Sequence, residues 1–525
     1  MNDDTARSVV ETDVPLSRST LDSDTEREAA RLLSRCRPDA VPYERRIFVN
    51  RNLRLSGIDL VGFDMDYTLA MYHVSVENLA VALTIDRLIR TRGYPEVLRN
   101  APYDPDFAVL GLSVDKKHGN LLKMDNHRHV SRAYHGFEPV LKAERRTLYN
   151  RERLRMSSDR FALIDTMFAV PEAWLFARMV DLHEVALGMT LGPNDYERFF
   201  NDIRECIDQV HADDSLKSVI RKDVGQYIER DPELGRTLRR IRASGKRTLL
   251  LTNSHWDYTD PVMRYLLEGP GSSPSSWRDA FDIVIVAAGK PAFFTEDRPF
   301  RELRLPEGQP EQHEVTALER GRVYQGGNVR DFDRLMGTSG DRVLYVGDNM
   351  YGDILRSKKA TTWRTAMAIP GLERMLLVHE RVRPEIVRRD AVEAERTRLD
   401  EELRVLELQL EALELLKEEP PTGRGAEVDG RVLRRAQQLA RRDCRRIERS
   451  LKRCVREARA IDMTIENAFN PHWGQTFTAF AEHSLFGGQL EDYACLYLAK
   501  VSNFLAYSPN QYFRTPRDVL PHDHA

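Results

Sequence analysis

The chain has 525 residues and a formal net charge of −3, from 79 Lys and Arg against 82 Asp and Glu. That length calls for two or more domains, and so even a charge balance excludes bulk attraction to nucleic acid or to an anionic membrane. Five scattered cysteines, Cys36, Cys206, Cys444, Cys454 and Cys495, lack metal-ligand spacing and fit a reducing cytoplasm better than a disulfide framework.

Residues 1–40 are rich in Ser, Thr and Asp without periodicity and read as a disordered tail, with no apolar core for a signal peptide. No stretch anywhere approaches the length of a membrane span. The first short apolar run, "IDLVGFDMD" (58–66), ends in two carboxylates, Asp64 and Asp66. Three more follow: "KRTLLLTNS" (246–254), "FDIVIVAAGK" (281–290) and "RVLYVGDNM" (342–350). Each has the length and apolar content of a strand buried on both faces of a parallel sheet. Between them "ELGRTLRRIRASG" (233–245) reads as a helix closed by a glycine. The alternation predicts an α/β, Rossmann-like core, in which ligands gather at the carboxyl ends of the strands.

The gap between the first two runs is too long for one crossover. It holds a hairpin in "LGLSVDKKHGNLLKMD", turning at "HGN", and then helices from about 159 to 230, an insertion that would overhang the sheet as a mostly helical cap. The expected boundaries are core at 41–130 and 218–385, cap at 131–217, a helical hairpin at 386–466 and a C-terminal segment at 467–525. In the hairpin, Leu399, Leu403, Leu406, Leu410 and Leu413 form a heptad-like seam on an acidic helix. After "PPTGRG", a helix with Ile447, Leu451, Cys454, Ala458 and Ile461 in the same rhythm carries Arg441, Arg442, Arg445, Arg446, Arg449 and Arg453. Without interleaved aromatics, that basic arm reads as facing its acidic neighbour rather than nucleic acid. The aromatic-rich end of the chain packs on the core or forms a subunit interface.

Taken singly, a strand-terminal Asp is usually a turn cap and a strand-terminal Lys is usually solvated. Taken in order, the four strand ends offer Asp64 and Asp66, then Thr252 and Asn253, then Lys290, then Asp348 and Asp353. That order is what phosphoryl transfer through an aspartyl-phosphate requires. Asp64 is placed as the nucleophile. Two anions at contact repel by roughly 4 kcal/mol at an effective dielectric near 20, so cations must offset them. Asp64, the backbone carbonyl of Asp66, and Asp348 would hold Mg²⁺, with Asp353 orienting a metal water. Lys290 adds a positive charge, and Thr252 and Asn253 add donors to the phosphoryl oxygens. Asp66 would protonate the leaving oxygen and later activate water.

The order "DMDYT", "LLTN", Lys290, "GDNMYGD" resembles the haloacid dehalogenase-like superfamily. "NDIRECIDQVHADDSLK", "LLLTNSHWDYTDPVMRYL", "GKPAFF", "YQGGN", "LYVGDNMYGDILRSKKATTWRT", "SLFGG" and "VLPH" further resemble the cytosolic purine 5′-nucleotidase family, from about residue 45 to the end and least clearly across the hairpin. The resemblance implies a Mg²⁺-dependent hydrolase of nucleoside 5′-monophosphates, IMP and GMP foremost. It also implies phosphate transfer to a second nucleoside and a homodimer or homotetramer. Arg204, Asp208 and His211 share one helical face, with Lys217 after a turn. On residues alone this is an ordinary surface pair worth a few tenths of a kcal/mol; the resemblance makes it a 6-oxopurine reader, with Phe168 stacking on the base. Ala169 replaces a family Asn. The family's nucleotide activator site maps to Arg155, Lys359 and Arg364, with Tyr351 replacing a Phe and Asp165 an Asn. Two other readings stay open: a sugar-phosphate phosphatase, and a nucleotide-sensing interaction protein.

Overall fold

The computed structural model describes residues 40–515 except 101, 150–153, 269–275, 306–307, 312–314, 339, 419–428 and 480, and the fold below is that of residue 43 onward. The expected tail (all but its last residue), the "PPTGRG" break and "VLPH" lie outside the described residues.

Seven parallel strands form the central sheet: β1 (Leu60–Phe63), β2 (Arg247–Leu251), β3 (Ile283–Val286), β4 (Val323–Gly326), β5 (Val343–Gly347), β6 (Arg364–Ala368) and β7 (Leu496–Leu498), in spatial order 7-6-5-1-2-3-4. Phe48–Val49 extends one edge antiparallel to β7, and Phe300–Arg304 with Gln309–Pro310 extends the other beyond β4. Alternate residues of each strand feed two cores. Val61, Phe63, Leu250, Val284 and Val346 face one side; Leu60, Leu249, Leu251, Ile285 and Tyr345 face the other. Each such side chain withdrawn from water contributes about 1.5–3 kcal/mol, so runs apolar at nearly every position settle as central strands. The C-terminal segment is part of this sheet through β7.

The insertion between β1 and β2 holds helices α1 (Val74–Arg92), α2 (Val170–Asp181), α3 (Pro193–Ala212) and α4 (Ser215–Lys222). It also holds a five-stranded antiparallel sheet, in the order Glu138–Pro139, Val130–His135, Asn120–Met124, Ser113–Asp115, Phe161–Leu163. The expected hairpin is the centre of that sheet, with Asp115 opposite Asn120. Within 131–217 the cap is mostly helical, as expected, with short strands of that sheet in its first half, and the boundary at 130/131 falls inside the strand Val130–His135.

After β2, α5 (Trp256–Leu267) returns along the core. The helical hairpin is α6 (Arg383–Glu418) against α7 (Gly430–Phe469). Leu399, Leu403 and Leu406 mesh there with Ile447, Leu451 and Cys454. Arg388–Glu457 (2.6 Å) and Arg441–Glu414 (3.1 Å) cross between the arms. Among the described residues, no helix is long and apolar enough to cross a membrane.

Candidate active site

Strand register brings the chemistry together. Phe63 lies level with Leu250 on one side and Val346 on the other, so the residues after β1, β2 and β5 emerge at one edge. Strand order reverses beside β1, the place where crevices open in such sheets. The Asp64 N–H donates to the Val346 carbonyl at 2.9 Å. The chain then turns sharply: Leu69 and Ala70 N–H both donate to the Met65 carbonyl at 2.9 Å, and Tyr67 takes a left-handed φ of 53°. Asp64 and Asp66 thereby enter different surroundings.

Asp64, Asp348 and Asp353 bring carboxylate oxygens within 4.8 Å of one another, all three buried. Lys290 Nζ lies 2.9 Å from Asp64 Oδ1 and 2.7 Å from Asp353 Oδ1. It also donates to the Tyr345 hydroxyl at 2.9 Å. Burial pushes the Asp64 carboxyl up to about 8 against the pull of Lys290. Burial, with Asp353 and Asp64, holds Asp348 well above the ordinary range. Burial pulls the Lys290 ammonium down, but Asp353 and Asp64 hold it well above its usual value. One ammonium thus serves three buried carboxylates. Asp348 Oδ2 is buried without a hydrogen-bond partner. An orphaned buried acceptor costs about 1–3 kcal/mol, more when charged. The donor set, all oxygen and short of positive charge, fits a hard divalent cation. Asp353, expected to act through a metal water, lies in the same buried group as the other two acids. A Cβ on Gly347 would meet Asp353 Cβ at 2.6 Å, so glycine is what lets Asp353 come in.

Asp66 sits among hydroxyls. Tyr72 Oη donates to Asp66 Oδ1 at 2.5 Å and Ser254 Oγ to Oδ2 at 2.8 Å. The Tyr72 and Tyr258 hydroxyls are 2.9 Å apart. The two expected donors, of which Asn253 lines the cleft, also hold the loop. The Asn253 amide clasps the Lys290 backbone, donating to its carbonyl at 2.9 Å and accepting its N–H at 2.7 Å. Thr252 is fully buried away from the cleft, and its Oγ1 accepts the Ser254 N–H at 3.1 Å. Both residues build the loop that presents Lys290 and Ser254.

Asp64, Asp66, Asn253, Ser254, Lys290, Asp348 and Asp353 line one end of a cleft of about 390 Å³. Phe168, Arg204, His211 and Lys217 line it too. Phe168 stands edge-on to Tyr67 and His211, with ring centres 4.8 and 5.3 Å away. Burial and Lys217 push the His211 imidazole down to about 4, so it is neutral at pH 7. Lys217 Nζ lies 5.2 Å from the Tyr258 ring centre. Asp208 is exposed and outside the lining. Arg204 Nη2 lies 2.7 Å from Glu172 Oε2. Burial, with Asp208 and Asp165, pushes Glu172 up to about 8 against the pull of Arg204. The five residues expected at an activator site are divided. Asp165 and Tyr351 line this same cleft, whereas Arg155, Lys359 and Arg364 do not. Lys359 lies over the Tyr493 ring, and Arg364 donates to the Asn52 carbonyl.

Sequence reasoning missed Tyr72, Ser254, Tyr258, Tyr345 and Glu172. Ser254 directly follows Asn253 and was within reach. Tyr345 lies inside a core strand and Glu172 opens a helix, positions where neither type signals a site.

The sequence model of the 5′ nucleotidase family matches residues 47–525. The chain is 29% identical over 486 residues to a 5′-nucleotidase domain-containing protein of Dictyostelium discoideum, covering 91% of this chain and 74% of that one. It is 31% identical over 489 residues to 5′-nucleotidase domain-containing protein 2 of Homo sapiens, covering 91% of this chain and 85% of that one. A solved 2-haloacid dehalogenase from Pseudomonas syringae overlaps 59% of this chain and 86% of its own at 16% identity, with a TM-score of 0.21, too loose an overlap to carry an argument.

Proposed function

The chain belongs to the 5′ nucleotidase family, and from that premise we propose that its cleft hydrolyses nucleoside 5′-monophosphates, IMP and GMP foremost, through an aspartyl-phosphate on Asp64. One observation carries this reading: a single cleft joins the buried Asp64–Lys290–Asp348–Asp353 cluster to an end lined by Phe168, Arg204, His211 and Lys217. One end suits a phosphate, the other a base.

Asp64, Asp348 and Asp353 would hold Mg²⁺, which supplies charge neutralisation for the anionic phosphoryl group. Asp64 attacks phosphorus in line with the 5′ oxygen. Asp66 gives that oxygen its proton, then takes one from the water that cleaves the acyl phosphate. A nucleoside hydroxyl replacing that water gives phosphate transfer. Lys290 stays charged throughout and offsets the added negative charge. Cys206, Cys444, Cys454 and Cys495 are free and buried, which suits a reducing compartment such as the cytoplasm.

Tyr72 orients Asp66, so its hydroxyl matters where the leaving group needs a proton. Tyr72→Phe should lower kcat/KM for a nucleoside monophosphate by about tenfold or more. For p-nitrophenyl phosphate, whose leaving group needs no proton, the loss should stay within about threefold. Equal losses on both would reduce Tyr72 to a packing role.

A sugar-phosphate phosphatase is the second reading, favoured by the Arg204–Glu172 pair, by Asp208 lying outside the lining and by Ala169 in place of an amide. A kcat/KM panel of IMP, GMP, AMP and ribose 5-phosphate with Mg²⁺ separates the two. One good base-edge contact is worth about 1–3 kcal/mol, so IMP or GMP should lead ribose 5-phosphate by at least about tenfold. A sugar phosphate matching every nucleotide would install the second reading.

A further inference from the structure

At the end of the cleft away from the buried acids, one guanidinium sits among three carboxyl groups. Arg204 is already engaged: its Nη2 meets Glu172 Oε2 at 2.7 Å, and its guanidinium lies 5.4 Å from the Phe200 ring centre. Asp165 and Asp208 both push the Glu172 carboxyl up, and Arg204 pulls the Asp165 carboxyl down. Of the three acids, only Asp165 lines the cleft. Burial and its own backbone N–H act on that carboxyl, and among the described residues no other side chain hydrogen-bonds it. Its place is fixed through the backbone, where the Met350 N–H donates to the Asp165 carbonyl at 3.4 Å.

Asp165 and Phe168 lie three residues apart on one short segment, and both line the cleft. A base stacked on the ring therefore turns an edge toward the carboxylate. A carboxylate offers acceptors only, so the edge it meets must donate. Guanine presents two neighbouring donors, N1–H and the 2-amino group, which match the two carboxylate oxygens. Hypoxanthine presents N1–H alone, xanthine carries an oxygen in place of the amino group, and adenine turns a lone pair at N1. A site built to bond a donor rejects the analogue without it, because the acceptor is then left unpaired in a dry place.

We propose that Asp165 determines base specificity, its carboxylate accepting from N1–H and the 2-amino group of guanine so that the cleft selects GMP over IMP. The inference rests on reading the cleft as a nucleotide site and names the base within it. A place in a separate activator site suits Asp165 less well. The cations expected beside it there, Arg155, Lys359 and Arg364, do not line the cleft, and a lone carboxylate repels phosphate.

The test is calorimetric titration of the full-length Asp64→Asn chain with Mg²⁺, which holds nucleotide without rapid turnover. GMP should bind at least about tenfold more tightly than IMP, the scale of one good base-edge contact. Xanthosine 5′-monophosphate should bind more weakly than IMP, since its 2-oxygen faces the carboxylate. Adding Asp165→Asn should bring GMP and IMP within about threefold of each other, because the amide sets a donor against a donor. Equal binding of GMP and IMP before that change overturns the inference and leaves the nucleotide reading standing. A preference for GMP that survives Asp165→Asn does the same. Binding of none of the three nucleotides overturns both.

Discussion

Asp64→Asn should cut turnover at least about a hundredfold, because an amide cannot take the phosphoryl group and loss of a nucleophile removes orders of magnitude in kcat. The variant should not pay in stability. Asp64 is buried beside Asp348 and Asp353, and desolvation already pushes its carboxyl up to about 8. A neutral isostere there removes like-charge crowding in a cluster with one ammonium. In chelator the variant should therefore melt at or above the wild-type temperature, as expected where strain is kept for function. Phosphate release and a thermal melt check both halves. More than a hundredth of wild-type turnover would remove Asp64 from the covalent role.

Lys290→Met should do the opposite to stability. Lys290 is buried, reaches Asp64 and Asp353 at 2.9 and 2.7 Å, and is the cation that holds this cluster together. Removing one partner of a buried charge network costs about 3–5 kcal/mol, a large share of a typical 5–15 kcal/mol total. Activity should collapse with it, since the phosphoryl charge loses its fixed counter-ion. Denaturant melts at neutral pH, with and without Mg²⁺, measure the effect. Partial rescue of stability by the cation is expected because both cations answer the same excess of carboxylate. A variant as stable as wild type would mean that the carboxylates are protonated and the cluster carries little charge.

The sequence exposed β1, β2, β3 and β5 because each is an apolar run ending in a chemically distinctive residue. It concealed β4, β6 and β7. "VYQG" runs into glycines, "RTAMA" suits a helix as well as a strand, and "LYL" is too short to carry a pattern. The different fates of Asp64 and Asp66 were legible from their spacing alone. What holds Asp66 was not, since Tyr72 lies beyond a tight turn whose geometry depends on the positive φ of Tyr67. Arg204 was legible as a residue of one helical face. That its guanidinium meets Glu172 depends on how α3 packs against α2, which no local pattern encodes. The inner seam of α6 followed from leucine spacing.

In the proposed mechanism Asp64 carries the phosphoryl group between substrate and water. Rapid acid quench of the wild-type chain turning over IMP with Mg²⁺, followed by peptide mass analysis, tests it directly. A transient phosphoryl group is expected on the peptide containing "FDMDY", located at Asp64, that decays as phosphate is released and is absent in Asp64→Asn. Steady turnover of IMP with no phosphopeptide at any quench time, or a phosphoryl group lodged on another residue, would contradict it.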